Sequence, residues 1–199
     1  MVTRWRALFL AGCGVFLVLA LAVSVADISP LERALYEWIT AGASPEVVTV
    51  FGWINGLGDW RILIPMALFS LLFLFFALPR VLGQRWWLWA GVLISAPILE
   101  GITKEIVGRP RPETAALGFP SGHVTAATAF FVMAAYFGEK AFATRPARIV
   151  IWILAALPIL LVAIARVVLR AHWPLDTVGG VALGLTCAAA AIWWAERKS

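Results

Sequence analysis

The chain has 199 residues, of which 62% are hydrophobic and only 14% charged, with a mean hydropathy of +0.92. Soluble domains carry about 25% charged residues and about 45–50% apolar ones, so this composition excludes a soluble enzyme and describes an all-α integral membrane protein. The net charge of +5 does not point to nucleic acid, because the basic residues flank apolar segments or sit in three short polar blocks and form no stripe on a soluble module.

A spanning helix needs roughly 20 mostly apolar residues, and six stretches meet that need, at about 7–26, 60–78, 86–104, 121–138, 148–169 and 174–195. Together they predict one membrane domain over 1–199, a six-transmembrane-helix bundle. The first stretch follows Arg4 and Arg6 and has no small-x-small cleavage site with a soluble domain after it, so it reads as a retained helix rather than a signal peptide. Between the first and second spans, Ser29-Pro30-Leu31-Glu32 has the pattern of a capping box with proline at the first helical position. Leu31, Leu35, Trp38 and Ile39 then share one face, opposite Glu32, Arg33 and Glu37, as in a short helix lying in the outer interface. Ser44-Pro45-Glu46 opens a second short element running to Ile54, too short to span. Pro97 and Pro158 fall inside the third and fifth spans and are expected to kink them. The two cysteines, Cys13 and Cys187, both lie in apolar spans, which argues against a disulfide framework or a thiolate metal site.

Connecting charges orient the bundle. Arg4, Arg6, Arg80, Arg85, Lys140, Arg145, Arg148, Arg197 and Lys198 all fall on one side, and the positive-inside rule makes that side, with both termini, cytoplasmic. Alternation then points four helix ends outward: the end of the third, the start of the fourth, the end of the fifth and the start of the sixth. Lys104, His123, Arg166 and Asp176 sit at those ends.

These residues belong to the three polar blocks, Lys104–Pro112, Pro120–His123 and Arg166–Asp176, which contain both histidines of the chain. Cations are costly near a bilayer, so their concentration there implies use. Lys104, Arg111 and Arg166 come from different helix ends and suit the non-bridging oxygens of a phosphate, arginine as a planar fork and lysine as a point charge. Ser121 and Gly122 stand where the fourth helix begins, with free N–H groups that favour an anion. His123, in the same turn, has a side chain suited to acid–base work. His172 and Asp176 are four apart with Pro174 between them, so the carboxylate can hold one ring nitrogen and leave the other free to attack phosphorus. Plainer readings exist for some cations. Glu100 and Lys104 are spaced as a helical ion pair, Arg109 and Arg170 suit lipid-headgroup contacts, and Arg109-Pro110 competes with Arg111-Pro112.

Lys104-x6-Arg111-Pro112, Pro120-Ser121-Gly122-His123 and Arg166-x5-His172-x3-Asp176 resemble, in order and spacing, the signature of the type 2 phosphatidic acid phosphatase family. The resemblance selects Arg111 over Arg109. It implies a phosphohistidine on His172, oriented by Asp176, with His123 protonating the departing alcohol and no metal or cofactor. Lys104, Arg111, Ser121, Gly122 and Arg166 would bind phosphate. The implied partner is a lipid phosphate in the bilayer, and the place the outer face of a bacterial-type inner membrane. Candidate substrates are phosphatidylglycerol phosphate, phosphatidic acid and undecaprenyl pyrophosphate. Ser-Gly-His in the second block, where some undecaprenyl-pyrophosphate enzymes have Ser-Asp-His, tilts the choice toward a glycerolipid or broad phosphatase. Ala165 replaces a serine usual in the family's third block, so a hydroxyl beside the phosphate is missing. A phosphotransferase using the same phosphohistidine is the alternative. A transporter of anionic lipids or phosphate fits less well, since transport sites lie near the bilayer midplane.

Overall fold

A computed structural model describes residues 2–77, 86–142 and 144–197. Arg80, Arg85 and Lys198, used above to orient the bundle, lie outside the described residues. Among the described residues eight α-helices follow in order: α1 (Val2–Val25), α2 (Pro30–Ala41), α3 (Pro45–Asn55), α4 (Trp60–Ala77), α5 (Trp86–Val107), α6 (Gly122–Ala141), α7 (Arg145–Val168) and α8 (Pro174–Glu196). A 3₁₀ turn, Gly56–Gly58, joins α3 to α4. Among the described residues the only β-type pairing is an isolated bridge between Pro110 and Leu117.

The six apolar stretches correspond to α1 and α4 to α8, each 18 to 24 residues long. By length and apolarity α1, α7 and α8 qualify singly as membrane spans, and α3 with α4, bent by 50° at the 3₁₀ turn, forms a fourth candidate. The most apolar window of α8 is 56% buried, against 11% in α1 and 17% in α7. So α8 is an inner helix, packed against α1, α5, α6 and α7. Its glycines make that possible. A Cβ on Gly180 would stand 2.8 Å from the Ser121 carbonyl, and one on Gly184 2.6 Å from that of Thr125, so α6 and α8 touch backbone to backbone. Helix α6 is buried along most of its length, so its composition answers to neighbouring helices rather than to lipid.

At one end of the bundle the aromatic side chains Trp5, Trp89, Tyr136 and Phe137 fill the core. The edges there are tied by Lys140 and Tyr136 to Glu196, at 2.8 and 2.7 Å, and by the Trp152 indole to Glu139 at 2.7 Å. At the other end lie the last turns of α5 and α7 and the first turns of α6 and α8, which carry the predicted site.

The first interhelical element forms as its sequence suggests. Ser29 caps α2, its hydroxyl accepting the Glu32 N–H at 3.1 Å. Only half of the predicted capping box exists, however, because the Glu32 carboxylate is engaged elsewhere.

Candidate active site

The turn from α7 to α8 sets the reacting groups. Arg166 is in the last turn of α7, and the chain reverses through Arg170, which adopts φ 55°. A left-handed conformation costs a non-glycine residue roughly 1–2 kcal/mol, offset here by the N–H groups of Ala171 and His172, which both donate to the Arg166 carbonyl at 3.0 and 3.1 Å. His172 is thereby fixed against the end of α7. Pro174 then starts α8, and Asp176 sits in its first turn.

His172 and Asp176 are 1% and 0% exposed in their side chains, with Nδ1 3.3 Å from Oδ2. Oδ2 also accepts the Trp173 N–H at 3.0 Å. A carboxylate acceptor assigns the ring proton to Nδ1 and leaves a lone pair on Nε2. Burial is the main influence on the ring and pulls its pKa from 6.5 to about 4. Asp176 opposes that fall, while the charges of Arg166 and Arg111 add to it. The imidazole is therefore neutral at neutral pH.

Ser121 caps α6 by position, yet its hydroxyl makes no capping bond and is buried without a partner. Its N–H donates to the Asp176 carbonyl at 2.9 Å, tying the start of α6 to the start of α8. Gly122 and His123 follow, and Arg166, His172 and Lys104 are near enough for their charges to act on His123. Lys104 pairs with Glu100, the helical pair allowed by the sequence. Arg111 donates from Nε to the Leu117 carbonyl at 3.1 Å, which folds the loop after α5 onto itself. Gly118 in that loop has no room for a side chain, since a Cβ would stand 2.8 Å from Asp176 Oδ2. Arg166 donates from Nη1 to Asn55 Oδ1 at 2.8 Å, while its Nε is buried without a partner.

Beside this cluster a cavity of about 430 Å³ is lined by Lys104, Glu100 and His123 and by the apolar Leu63, Leu93, Ala96, Ala126 and Ala129. A lining that joins a few charged groups to many apolar ones suits an amphiphile.

All eight predicted residues thus gather at one end of the bundle. Two expectations need correction. Arg109 is not a headgroup contact. Its side chain is 4% exposed, and it donates from Nη1 to Asp176 Oδ1 at 2.8 Å and from Nη2 to Glu32 Oε2 at 2.5 Å. Glu32, assigned by periodicity to the polar outer face of α2, is buried instead, because Arg109 and the Leu175 N–H both bind it. Arg170, by contrast, is exposed and pairs with Glu113 at 3.2 Å, away from the dyad. Asn55, Arg109 and Glu32 were missed in the sequence. The available signal was charge balance, since five cations (Lys104, Arg109, Arg111, Arg166 and Arg170) stand against two carboxylates (Glu105 and Asp176) in the three blocks and call for a counter-charge from elsewhere.

Comparison with known proteins now adds to this geometry. The PAP2 superfamily pattern matches residues 85–199. Phosphatidylglycerophosphatase B of Bacillus subtilis (strain 168) is 29% identical over 183 residues, covering 85% of this chain and 86% of that protein. The crystal structure of a transmembrane PAP2-type phosphatidylglycerolphosphate phosphatase from Bacillus subtilis superposes with a TM-score of 0.83 at 26% identity, over 98% of this chain and 97% of the other. Aquifex aeolicus LpxE shares the fold, with a TM-score of 0.62 at 20% identity over 84% of this chain and 98% of its own. With the family match spanning more than half its length, the chain belongs to the PAP2 superfamily, the type 2 phosphatidic acid phosphatases, and is a multi-pass membrane lipid phosphatase.

Proposed function

We propose that this protein hydrolyses glycerolipid phosphomonoesters, phosphatidylglycerol phosphate foremost, through a phosphohistidine on His172. Phosphatidic acid and undecaprenyl pyrophosphate are the further candidates. The observation that carries the reading is the His172–Asp176 dyad: a buried, neutral imidazole held through Nδ1 at 3.3 Å, with Nε2 free beside Arg166. The similarity to phosphatidylglycerophosphatase B of B. subtilis supports the choice of glycerolipid.

In the first step Nε2 of His172 attacks phosphorus and the bond to the lipid oxygen breaks, while His123 gives that oxygen its proton. Lys104, Arg111, Arg166, the Ser121 hydroxyl and the N–H groups at the start of α6 hold the equatorial oxygens, where charge develops. In the second step His123, now neutral, takes a proton from water as it attacks phosphorus. The N–P bond breaks, inorganic phosphate leaves and both histidines return to their starting forms. Asp176 stays ionised and keeps the imidazole in the right tautomer, the orienting role of the third member of a triad.

The same reading makes 1–199 one membrane domain with six spans, α1 and α4 to α8. Helices α2 and α3 lie at the outer interface, both termini are cytoplasmic, and the site opens on the outer face of a bacterial inner membrane. The test is phosphate release by purified protein in detergent with EDTA present, comparing the three lipids, with His172→Ala as control. Release from phosphatidylglycerol phosphate well above the others, lost in the variant and inhibited by vanadate as a pentacoordinate mimic, is the expected result. Restoration by added metal after loss in EDTA would overturn the metal-free mechanism. Labelled phosphate appearing on a lipid acceptor instead of in water would make the protein a phosphotransferase.

A further inference from the structure

Asp176 uses both carboxylate oxygens. Oδ2 serves His172 and the Trp173 N–H, while Oδ1 accepts Arg109 Nη1 at 2.8 Å. The same guanidinium donates from Nη2 to Glu32 Oε2 at 2.5 Å, and Glu32 Oε1 accepts the Leu175 N–H at 2.9 Å. The Arg109, Glu32 and Asp176 side chains are 4%, 4% and 0% exposed. The result is a closed circuit linking α2, the loop after α5 and the first turn of α8.

Buried charges are costly unless paired and fully hydrogen-bonded. An arginine fork with one nitrogen on each of two carboxylates does more than neutralise, because it dictates where each carboxylate points. Asp176 cannot swing away from His172 without breaking its bond to Arg109, and Arg109 cannot follow without breaking its bond to Glu32. Helix α2 is anchored there independently, by Tyr36 against the Trp173 ring at 4.8 Å between centroids and by Arg33 over the same ring at 5.9 Å.

We propose that Glu32 and Arg109 are positioning residues of the phosphatase reaction, fixing the charge and rotamer of Asp176 and, through it, the proton on His172 Nδ1. The proposal rests on the reading of His172 as nucleophile and Asp176 as its orienter. Other charged or titratable groups around the dyad are Arg111 from the loop, His123 from α6 and Arg166 from α7.

The two residues act on Asp176 with opposite sign. Arg109→Gln removes the cation bonded to the Asp176 carboxylate, so that carboxylate favours the protonated imidazole more strongly and neutral His172 is reached only at higher pH. The acid limb of kcat/KM then moves up by about one unit, and kcat falls about 10–100-fold, by analogy with the loss of partners that orient metal-ligating histidines. Glu32→Gln keeps an acceptor for the Leu175 N–H but leaves Arg109 undivided on Asp176. It moves the acid limb down, with a smaller fall in kcat. KM changes little in either variant, because neither side chain meets the phosphate. A merely structural clamp would lower thermal stability and yield without shifting the limb in opposite directions.

The experiment is steady-state hydrolysis of phosphatidic acid in mixed micelles by the full-length variants, from about pH 2.5 to 9 so that both limbs are covered, with His172→Ala alongside. Opposite shifts of the limb with KM held are the expected outcome. Parental kcat and an unmoved limb in either variant would overturn the proposal. If Arg109→Gln does not fold, Glu32→Gln alone decides by the same two readouts. If His172→Ala keeps its activity, the nucleophile assignment is the part that fails, whatever Glu32→Gln does, and the positioning role falls with it.

Discussion

Arg166 and Asn55 are joined by a hydrogen bond from Nη1 to Oδ1 at 2.8 Å, which ties the last turn of α7 to the end of α3. A neutral amide orients the guanidinium without cancelling the charge that a phosphate needs. Asn55→Ala removes a hydrogen bond to a charged group, worth about 1.5–3 kcal/mol, and should lower kcat/KM for phosphatidic acid about 10–100-fold. Asn55→Asp preserves the shape but sets an anion beside the phosphate site, so its loss should be larger and lie mainly in KM. Steady-state kinetics of the pair checks this. An aspartate variant as active as the parent would remove Asn55 from the phosphate's surroundings.

Burial holds the His172 pKa at about 4, below its usual 6.5. Protonation of the nucleophile should therefore not limit the parent enzyme above about pH 5, and kcat/KM should fall only as pH approaches 4. The sign for stability follows from the same shift. The folded state prefers neutral His172, so this contribution is complete above 6.5 and is lost as pH falls from there through 4, where the unfolded chain binds the extra proton. Melting curves at successive pH values should show a drop in Tm over that interval that is smaller in His172→Gln. An equal drop in both proteins would mean that His172 is charged in the fold.

Hydropathy was enough to locate the apolar helices, and motif spacing picked out eight candidate residues that the fold gathers at one end of the bundle, because spanning length and motif spacing are local properties. The missing residues are all products of contacts between distant segments. Periodicity placed Glu32 with Arg33 and Glu37 on one face of α2, yet only Glu32 turns inward, since only it can reach Arg109 and the start of α8. Asn55 carries no signal in its own segment and gains its place when α3 packs against α7 and the 3₁₀ turn against α6. Arg109 was assigned by analogy with other cations at helix ends, and its burial depends on the loop 108–120 folding under α2. The family signature chose Arg111 for phosphate, but left its neighbour two residues earlier without a role.

Arg166 and Arg170 separate cleanly in the fold, although they are one helical turn apart in sequence. Arg166 is buried in the cluster, whereas Arg170 is about half exposed and pairs with the exposed Glu113. Exposed pairs contribute about 0–1 kcal/mol, and alanine faces the same left-handed backbone that Arg170 adopts. Arg170→Ala should leave kcat/KM within about threefold of the parent, while Arg166→Ala should lose nearly all activity. Comparable losses in the two variants would mean that the register of the third block is wrong.

The cavity of about 430 Å³ beside His123 and Lys104 offers a route for a lipid chain between α4, α5 and α6. Transfer of a chain from bilayer to cavity gains little hydrophobic free energy, because both surroundings are apolar. The cavity should thus govern access and placement rather than affinity. Ala126, on its wall, is partly buried and can be enlarged at modest cost, about 1–3 kcal/mol for an overpacked position. Ala126→Leu should reduce kcat/KM for long-chain phosphatidic acid about tenfold or more, an effect of about 1.4 kcal/mol or greater, yet leave a water-soluble short-chain phosphate almost unaffected. The comparison separates two causes. An equal loss with both substrates would report distortion of His123 on the same helix, and unchanged rates with both would show that the chain takes another path to the site.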